Sequence, residues 1–377
     1  MNTSGQQIKI LYIVTQGNWG GAQKYVFDMS KSVSVDYSVV VASGIENDTL
    51  GKKITDQGIK YVGLKHLVRN INPIKDFKAI KEIANLIKKE RPDVVHLNSS
   101  KAGVLGSIAA QSADVKKVIF TMHGLVLNEP LNPVKKLIYL IAERLSARFT
   151  DELIAVSEKD KQSAIKYAVK SAKHISVIHI GIGLKSLEFF PKDKARLELG
   201  LDPNKTIVGT IADFYPAKGL PYLIDAAKKL IAEKPDLQFV LIGRSGPDKK
   251  KIKLLAEKLG DKFIIRENLD QASQYLKAFD IFVLPSVKEG LPYTILEAMA
   301  AGLPIVATKV SGVPDVLEHE RSALLVEPAN SDKLVDSIHL LLSSEQLINT
   351  LSTNAKNRVA DFSLDKMVAE TKNIYHP

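Results

Sequence analysis

The chain has 377 residues, 45% of them hydrophobic and 25% charged, which is the composition of a globular protein and the length of two domains of roughly 150 to 200 residues each. It has no cysteine, which excludes disulfides, zinc-thiolate centres and a cysteine nucleophile. Its formal charge of +10 is unevenly spread: residues 1–184 carry 26 Lys and Arg against 16 Asp and Glu, and residues 185–377 carry 26 of each. A basic first half suits nucleic acid, an anionic membrane surface or an acidic substrate, and equally a lysine-rich solvated surface. The polar start "MNTSGQQ" lacks the basic segment and apolar run of a signal peptide. No stretch approaches the roughly 18 apolar residues of a membrane span, so a cytoplasmic location is expected.

In chain order, short β-branched runs alternate with longer amphipathic segments, the rhythm of a parallel sheet with crossover helices. Strands are predicted over 8–14, 37–42, 59–64, 93–98, 117–122, 152–157 and 175–180. Between them, the stretch 73–90 places Ile80, Ile83, Ala84 and Ile87 at helical spacing. A helix is also predicted over 132–150, where Lys135, Lys136, Arg144 and Arg148 accompany a strong apolar stripe. A core-facing helix with a basic exposed side is the expected arrangement there, and a helix lying on an anionic membrane is the alternative. Ser157 stands as an N-cap before Glu158. After a charged connector at 183–205 the rhythm restarts, with strands predicted over 206–214, 237–243, 262–267, 280–285, 304–308 and 323–328.

Continuous apolar strands of this kind are buried on both faces. The expected fold class is therefore α/β, with two doubly wound, Rossmann-like domains over 1–184 and 185–377 and the last helix able to pack back on the first domain. In such sheets ligands bind beyond the carboxyl ends of the strands, where helix N-termini attract anions. Two such domains facing one another would enclose a cleft.

Three loops carry the residues suited to chemistry. The first, "QGNWGGAQKYVFDMS", crowds Gly17, Gly20 and Gly21 into five positions, which allows tight turning and close backbone approach. Trp19, the sole tryptophan, either covers a ligand or packs locally. The second, "IFTMHG" over 119–124, puts His123 at a strand end; its titration range permits proton transfer, although a lone histidine is usually structural. The third is "LPSVKEGLPYTILEAMAAGLPIVAT" over 284–308. Glu289 and Gly290 sit there in a turn, Pro292 suits a first helical turn, and Gly302 stops the helix. Glu297 then lies nearly two turns inside the helix, and the amides of Tyr293 and Thr294 are placed to receive a phosphate at its N-terminus.

The pair Glu289 and Glu297, followed by "AMAAGLPIVAT", resembles the signature of retaining glycosyltransferases of family 4, which have the GT-B fold. The resemblance extends over nearly the whole chain. It implies that Glu297 accepts hydrogen bonds from the ribose of a nucleotide-sugar, that Glu289 contacts the donor sugar, and that Gly290, Leu291, Tyr293 and Thr294 belong to the donor-binding segment. "TIADFYPAKGLPYLIDAA" over 210–227 resembles the segment in which an Arg and a Lys hold the donor diphosphate. Lys218 matches the Lys, whereas Asp213 stands where the Arg is often found, and a carboxylate cannot donate to phosphate. Either Arg244, in "LIGRSGP", supplies the second cation or diphosphate binding is weaker. Gly20 and Gly21 resemble the family's first loop, which nears the donor phosphates, and His123 its histidine beside the reacting sugar. At "VIHIGIG", Ile180 and Gly183 replace the Asn and Asp common at the family's junction.

The resemblance implies transfer of a sugar from a nucleoside-diphosphate sugar to an acceptor hydroxyl, with retention, in glycolipid, polysaccharide or other cell-envelope glycan synthesis. Fixed positive potential from Lys218 and the helix beginning at Tyr293 would stabilise the departing diphosphate. A metal would then be dispensable, and no Asp-x-Asp pair occurs. No cofactor is expected beyond the nucleotide-sugar as co-substrate. The expected acceptor is a glycan or a lipid-linked sugar on the basic first half, with peripheral attachment at the inner face of the membrane. Within the fold, an epimerase or a phosphorylase is the nearest alternative. A nicotinamide oxidoreductase should show G-x-G-x-x-G where this chain has G-x-x-G-G, and no recognised nucleic-acid motif accompanies the basic charge, so no nucleic acid is expected as partner.

Overall fold

The computed structural model describes residues 7–46, 48–128 and 131–376; all but Gln7 of the polar opening segment lies outside them. The chain divides into two compact units, residues 1–180 with 364–377, and residues 181–363. The division therefore falls at 180/181 rather than at 184/185, and the last helix belongs to the first unit.

In the first unit, β1 (Lys9–Gln16), α1 (Gly21–Val33), β2 (Ser38–Gly44), α2 (Thr49–Thr55), β3 (Lys60–Leu64), α3 (Pro73–Glu90), β4 (Val94–Asn98), α4 (Ser100–Gln111), β5 (Lys117–Met122), α5 (Pro133–Arg148), β6 (Glu152–Ala155), α6 (Glu158–Lys166) and β7 (Ile175–Val177) follow in turn. The seven strands form one parallel sheet in the order β3-β2-β1-β4-β5-β6-β7. Alternation along the strands divides the core. Leu11 and Ile13 of β1 and Val95 and Leu97 of β4 join Ile83 and Ile87 of α3 and Leu105 of α4 in one apolar cluster. Tyr12 and His96, one residue out of phase, meet Tyr375 of the returning helix instead.

The second unit comprises α7 (Lys192–Glu198), β8 (Thr206–Ile211), α8 (Leu220–Glu233), β9 (Leu237–Gly243), α9 (Lys249–Glu257), β10 (Phe263–Glu267), β11 (Ile281–Leu284), α10 (Tyr293–Ala301), β12 (Ile305–Thr308), α11 (Val313–Val316), β13 (Leu324–Val326), α12 (Ser331–Leu342) and α13 (Glu345–Arg358). Its sheet is also parallel, ordered β10-β9-β8-β11-β12-β13. All seven residues of β9 are buried, as a two-sided cover of helices requires. The final helix, α14 (Leu364–Tyr375), packs on α1 of the first unit. The strands agree with the sequence reading to within about three residues at their ends, the usual uncertainty of element boundaries.

Helix α3 shows why local sequence sets these limits. Asn72 accepts a hydrogen bond from the Lys75 amide, Pro73 opens the first turn, and Arg91 ends the helix at φ 48°. Ser157 likewise caps α6, accepting from the Asp160 amide at 3.1 Å.

Helix α5 corrects the expectation of a core-facing stripe. Its apolar residues Val134, Leu137, Ile138, Ile141 and Leu145 are between 40 and 69% exposed. Its buried side is made of Glu143, Ser146 and Ala147, with Tyr139 and Leu140 partly packed on the core. Periodicity establishes that a helix has an apolar face, but which way that face points is decided by the partner helix. Here α4 receives the side with small residues, and Ser107 of α4 approaches Ser146 at 3.5 Å.

Gly219, between Lys218 and α8, has φ +62°, and a Cβ there would lie 2.0 Å from the Pro285 carbonyl oxygen. We expect Gly219→Ala to destabilise the second unit by at least about 2 kcal/mol, through left-handed strain and this backbone clash. Chemical unfolding followed by circular dichroism measures the loss; an unchanged midpoint would contradict it.

Candidate active site

In both sheets the strand order reverses beside the first strand of the unit, between β1 and β4 and between β8 and β11. The crevice at such a switch point, beyond the carboxyl ends, is where doubly wound sheets bind ligands. The residues singled out from the sequence sit at these two places.

At the second switch point, the loop leaving β8 carries Asp213 and Lys218, and the loop leaving β11 carries Ser286 and Glu289. Lys218 Nζ donates to both Glu289 oxygens, at 2.7 and 2.9 Å, and Ser286 Oγ donates to Glu289 Oε1 at 2.6 Å. Glu289 is nearly buried, with 9% of its side chain exposed, while Lys218 keeps 28% in solvent. The ammonium is thereby oriented by a fixed carboxylate and still reachable by a ligand. The loops are held by backbone too, since the amides of Val287 and Lys288 donate to the Ala217 carbonyl.

Asp213 accepts from the Arg244 amide and from Arg244 Nη2, each at 3.0 Å. The carboxylate that replaces an expected arginine thus holds an arginine supplied by the end of β9. Gly290 accepts from the Gly312 amide at 2.8 Å, and Leu291 is buried. Pro292 proves to be the N-cap residue rather than a first-turn residue. Tyr293 and Thr294 open α10, whose first turn has neither a side-chain cap nor an acidic residue of its own, and a helix N-terminus favours an anion. Glu297 is buried on α10.

At the first switch point, Thr15 Oγ1 and Ser99 Oγ join β1 to the start of α4 at 2.6 Å. Gly20, in extended backbone at φ −160°, precedes α1, and Gly21 is its first residue; this helix also has no side-chain cap and no acidic residue in its first turn. Trp19 packs locally, edge-on to Phe27 at 5.8 Å with Lys53 Nζ 4.8 Å above its ring. Neither Gly20 nor Gly21 adopts positive φ; the close backbone approach falls at Gly17, where a Cβ would lie 2.8 Å from the Gly44 carbonyl oxygen.

His123, at the end of β5, takes its orientation from β4. Asn98 Nδ2 donates to the His96 carbonyl at 3.2 Å, which turns Asn98 Oδ1 toward His123 Nε2 at 3.1 Å. An amide oxygen only accepts, so Nε2 carries the proton. Nδ1 is left as a lone-pair acceptor, shielded from solvent and without a hydrogen-bond partner among the described residues. The Tyr25 ring stands edge-on to the imidazole at 4.8 Å. Burial pulls the His123 pKa down to about 4, so at neutral pH the ring is an uncharged hydrogen-bonding group. Burial, with a smaller contribution from His123, takes His96 down to about 3. His96 lies between Tyr375 Oη at 2.8 Å and Thr121 Oγ1 at 2.7 Å.

The sequence reading missed Ser286, Asn98, Tyr25 and the His96–Tyr375 contact. Ser286 and Asn98 are polar residues at the carboxyl ends of apolar strands, a signal available in "LPS" and "VVHLN". Tyr375 lies 279 residues from His96, and no local pattern marks that contact. Among the described residues, no cluster of three or more His, Asp or Glu could hold a metal ion, and no helix is long and apolar enough to cross a membrane.

Comparison with known proteins agrees with this geometry. Glycosyltransferase Family 4 matches residues 19–185, and Glycosyl transferases group 1 matches residues 191–358. The UDP-Gal:alpha-D-GlcNAc-diphosphoundecaprenol alpha-1,3-galactosyltransferase of Escherichia coli is 30% identical over 100% of this chain and 98% of its own length. The N,N'-diacetylbacillosaminyl-diphospho-undecaprenol alpha-1,3-N-acetylgalactosaminyltransferase of Campylobacter jejuni is 28% identical over 82% of this chain and 84% of its own. The crystal structure of Anabaena Alr3699/HepE in complex with UDP-glucose superposes with a TM-score of 0.84 at 23% identity, covering 97% of this chain and 99% of that one. The chain belongs to the family 4 glycosyltransferases and has the GT-B fold. It transfers a sugar from a nucleotide-sugar donor to an acceptor in glycan synthesis.

The two buried histidines make stability depend on pH. The unfolded chain binds their protons below about pH 6.5, and the native chain does so only near 4 and 3. Each therefore contributes stability that is fully present above about 6.5 and lost as pH falls, at about 1.4 kcal/mol per pH unit. Between about pH 5.5 and 4.5, urea unfolding of His96→Gln should show a slope shallower than wild type by that amount. An equal slope would contradict the neutral, buried assignment.

Proposed function

We propose that the donor is a uridine-diphosphate hexose, held by the second unit, and that the acceptor is a glycan carried on a polyprenyl diphosphate. The names of the Escherichia coli and Campylobacter jejuni relatives support the acceptor class, and the UDP-glucose complex of the Anabaena protein supports the donor. The observation that carries the reading is the Lys218–Glu289 pair at the second switch point. Lys218 has a third donor left for a phosphate oxygen. Arg244 spends a single guanidinium nitrogen on Asp213 and supplies the second cation. The amide end of α10 adds a third source of positive potential. Gly290 and Thr294 line the phosphate side, with Leu291 and Tyr293 as apolar support, and Glu297 takes the ribose hydroxyls.

Transfer is proposed to proceed with retention. As the bond between the anomeric carbon and the leaving phosphate breaks, the acceptor oxygen bonds to that carbon on the same face and passes its proton to the leaving phosphate oxygen. Glu289, already committed to Lys218 and Ser286, orients the sugar rather than attacking it. Charge on the departing diphosphate is met by Lys218, Arg244 and the helix end, and the reading assigns no step to a metal. The basic first unit takes the acceptor, Gly20 and Gly21 keep the donor-phosphate role that the family's first loop implies, and His123 positions the donor sugar or the acceptor. We further place the enzyme peripherally on the inner, anionic face of the membrane.

Lys218→Ala should lower kcat/KM at least about 100-fold and weaken uridine diphosphate binding, and Arg244→Ala should cost about tenfold or more. Calorimetry and transfer assays with a UDP-hexose check both effects. The reading is overturned if the wild type binds no nucleotide-sugar, or if Glu289→Ala leaves the transfer rate unchanged.

A further inference from the structure

The exposed stripe of α5 calls for an occupant. Val134, Leu137, Ile138, Ile141 and Leu145 recur at three- and four-residue steps and form a continuous apolar face along the helix, open to solvent. The charges flanking this face have one sign. Lys135, Arg144 and Arg148 are exposed, Lys136 is half-buried over the Tyr167 ring, and the one acidic residue of the helix, Glu143, is buried on the opposite side. A core helix would point this stripe inward, and a solvated one would carry mixed charges.

A second apolar group lies nearby in the same layer. Helix α4 packs between α3 and α5, and because the strands are parallel, α3 and α5 both begin at the carboxyl edge of the sheet. At the start of α3, Ile71, Ile74 and Phe77 are between 58 and 71% exposed. They stand among Lys75, Lys78 and Lys81, and Lys81 Nζ lies 4.5 Å above the Phe77 ring. The nearby Asp76 is neutralised by Lys101 at 2.6 Å. The whole net charge of +10 resides in this unit, the other having equal numbers of acidic and basic residues.

We propose that α5, together with the first turns of α3, is the face by which the protein lies on an anionic lipid surface, its apolar side chains entering the headgroup boundary and its lysines and arginines meeting lipid phosphates. Charge complementarity selects this occupant. A second copy of the chain would bring the same uniformly basic rim against this one, which repels. The inference deepens the membrane part of the reading above and is separable from its donor part.

The test is co-sedimentation of the full chain with vesicles of phosphatidylglycerol and phosphatidylcholine, and of phosphatidylcholine alone, at low and high salt. Binding should require the anionic lipid and weaken with salt. Ile138→Asp combined with Ile141→Asp should reduce it more than tenfold, and each of Lys135→Ala and Arg148→Ala should reduce it roughly fivefold. Leu137→Trp, made together with Trp19→Phe so that it is the sole tryptophan, should show an emission blue-shift on vesicles, which binding through another face would not give. All variants should keep wild-type nucleotide binding, which certifies folding. A wild type that binds nucleotide but not anionic vesicles overturns the proposal, as does vesicle binding indifferent to the aspartates. A concentration-dependent dimer abolished by the aspartates, without vesicle binding, also overturns it. Loss of nucleotide binding in the wild type would instead count against the donor reading.

Discussion

The ammonium of Lys218 is held by a nearly buried carboxylate, and the loops leaving β8 and β11 are arranged around that contact. Left alone, Glu289 would be a charge with little access to water, and its partner offsets that cost only if both loops keep their geometry. Gly219 supplies the left-handed backbone after Lys218, the Ala217 carbonyl ties the two loops together, and Ser286 saturates a carboxylate oxygen. A flexible lysine becomes a cation of fixed position, which is the preorganisation that its proposed role toward a leaving diphosphate requires. The Asp213–Arg244 pair applies the same device a few residues earlier on the same loop.

Beneath His123 the first unit holds its sheet and its last helix together with neutral polar groups. Tyr12, Tyr375, His96 and Thr121 form a buried hydrogen-bonded chain, and burial pushes the tyrosine hydroxyls above their ordinary range while pulling the imidazole below its own. All members are therefore uncharged, so the chain carries no ionic desolvation cost. It fixes α14 against the sheet and, through the His96 carbonyl and Asn98, the orientation of His123. The end of the chain thus contributes to the geometry of a residue more than 250 positions earlier.

Much of this was legible in the sequence because the information is local. Parallel strands buried on both faces appear as apolar runs, and helix starts such as Asn72-Pro73 carry their own signals. Glu289 and His123 were singled out by their places at strand ends, where doubly wound sheets bind ligands, and Lys218 by the resemblance of its segment to the family's. Long-range relations were not legible. Arg244 was offered as a second cation with no sign that Asp213 holds it, and Tyr375 gave no sign of reaching His96. The α5 stripe was found but assigned the wrong direction, since a period of 3.6 residues fixes a face relative to the helix and not relative to the core. In that case the less expected reading of the residues, a basic helix with its apolar side outward, is the one the fold presents.

The central claim is that the second unit holds a nucleoside-diphosphate sugar at Lys218. Thermal unfolding of the full chain across uridine-, guanosine- and adenosine-diphosphate sugars tests it most directly. A ligand at a hundred times its dissociation constant stabilises the native state by about 2.7 kcal/mol, so a uridine-diphosphate hexose should raise the midpoint in the wild type and fail to do so in Lys218→Ala. Equal shifts in both proteins, or no shift with any nucleotide-sugar, would contradict the account.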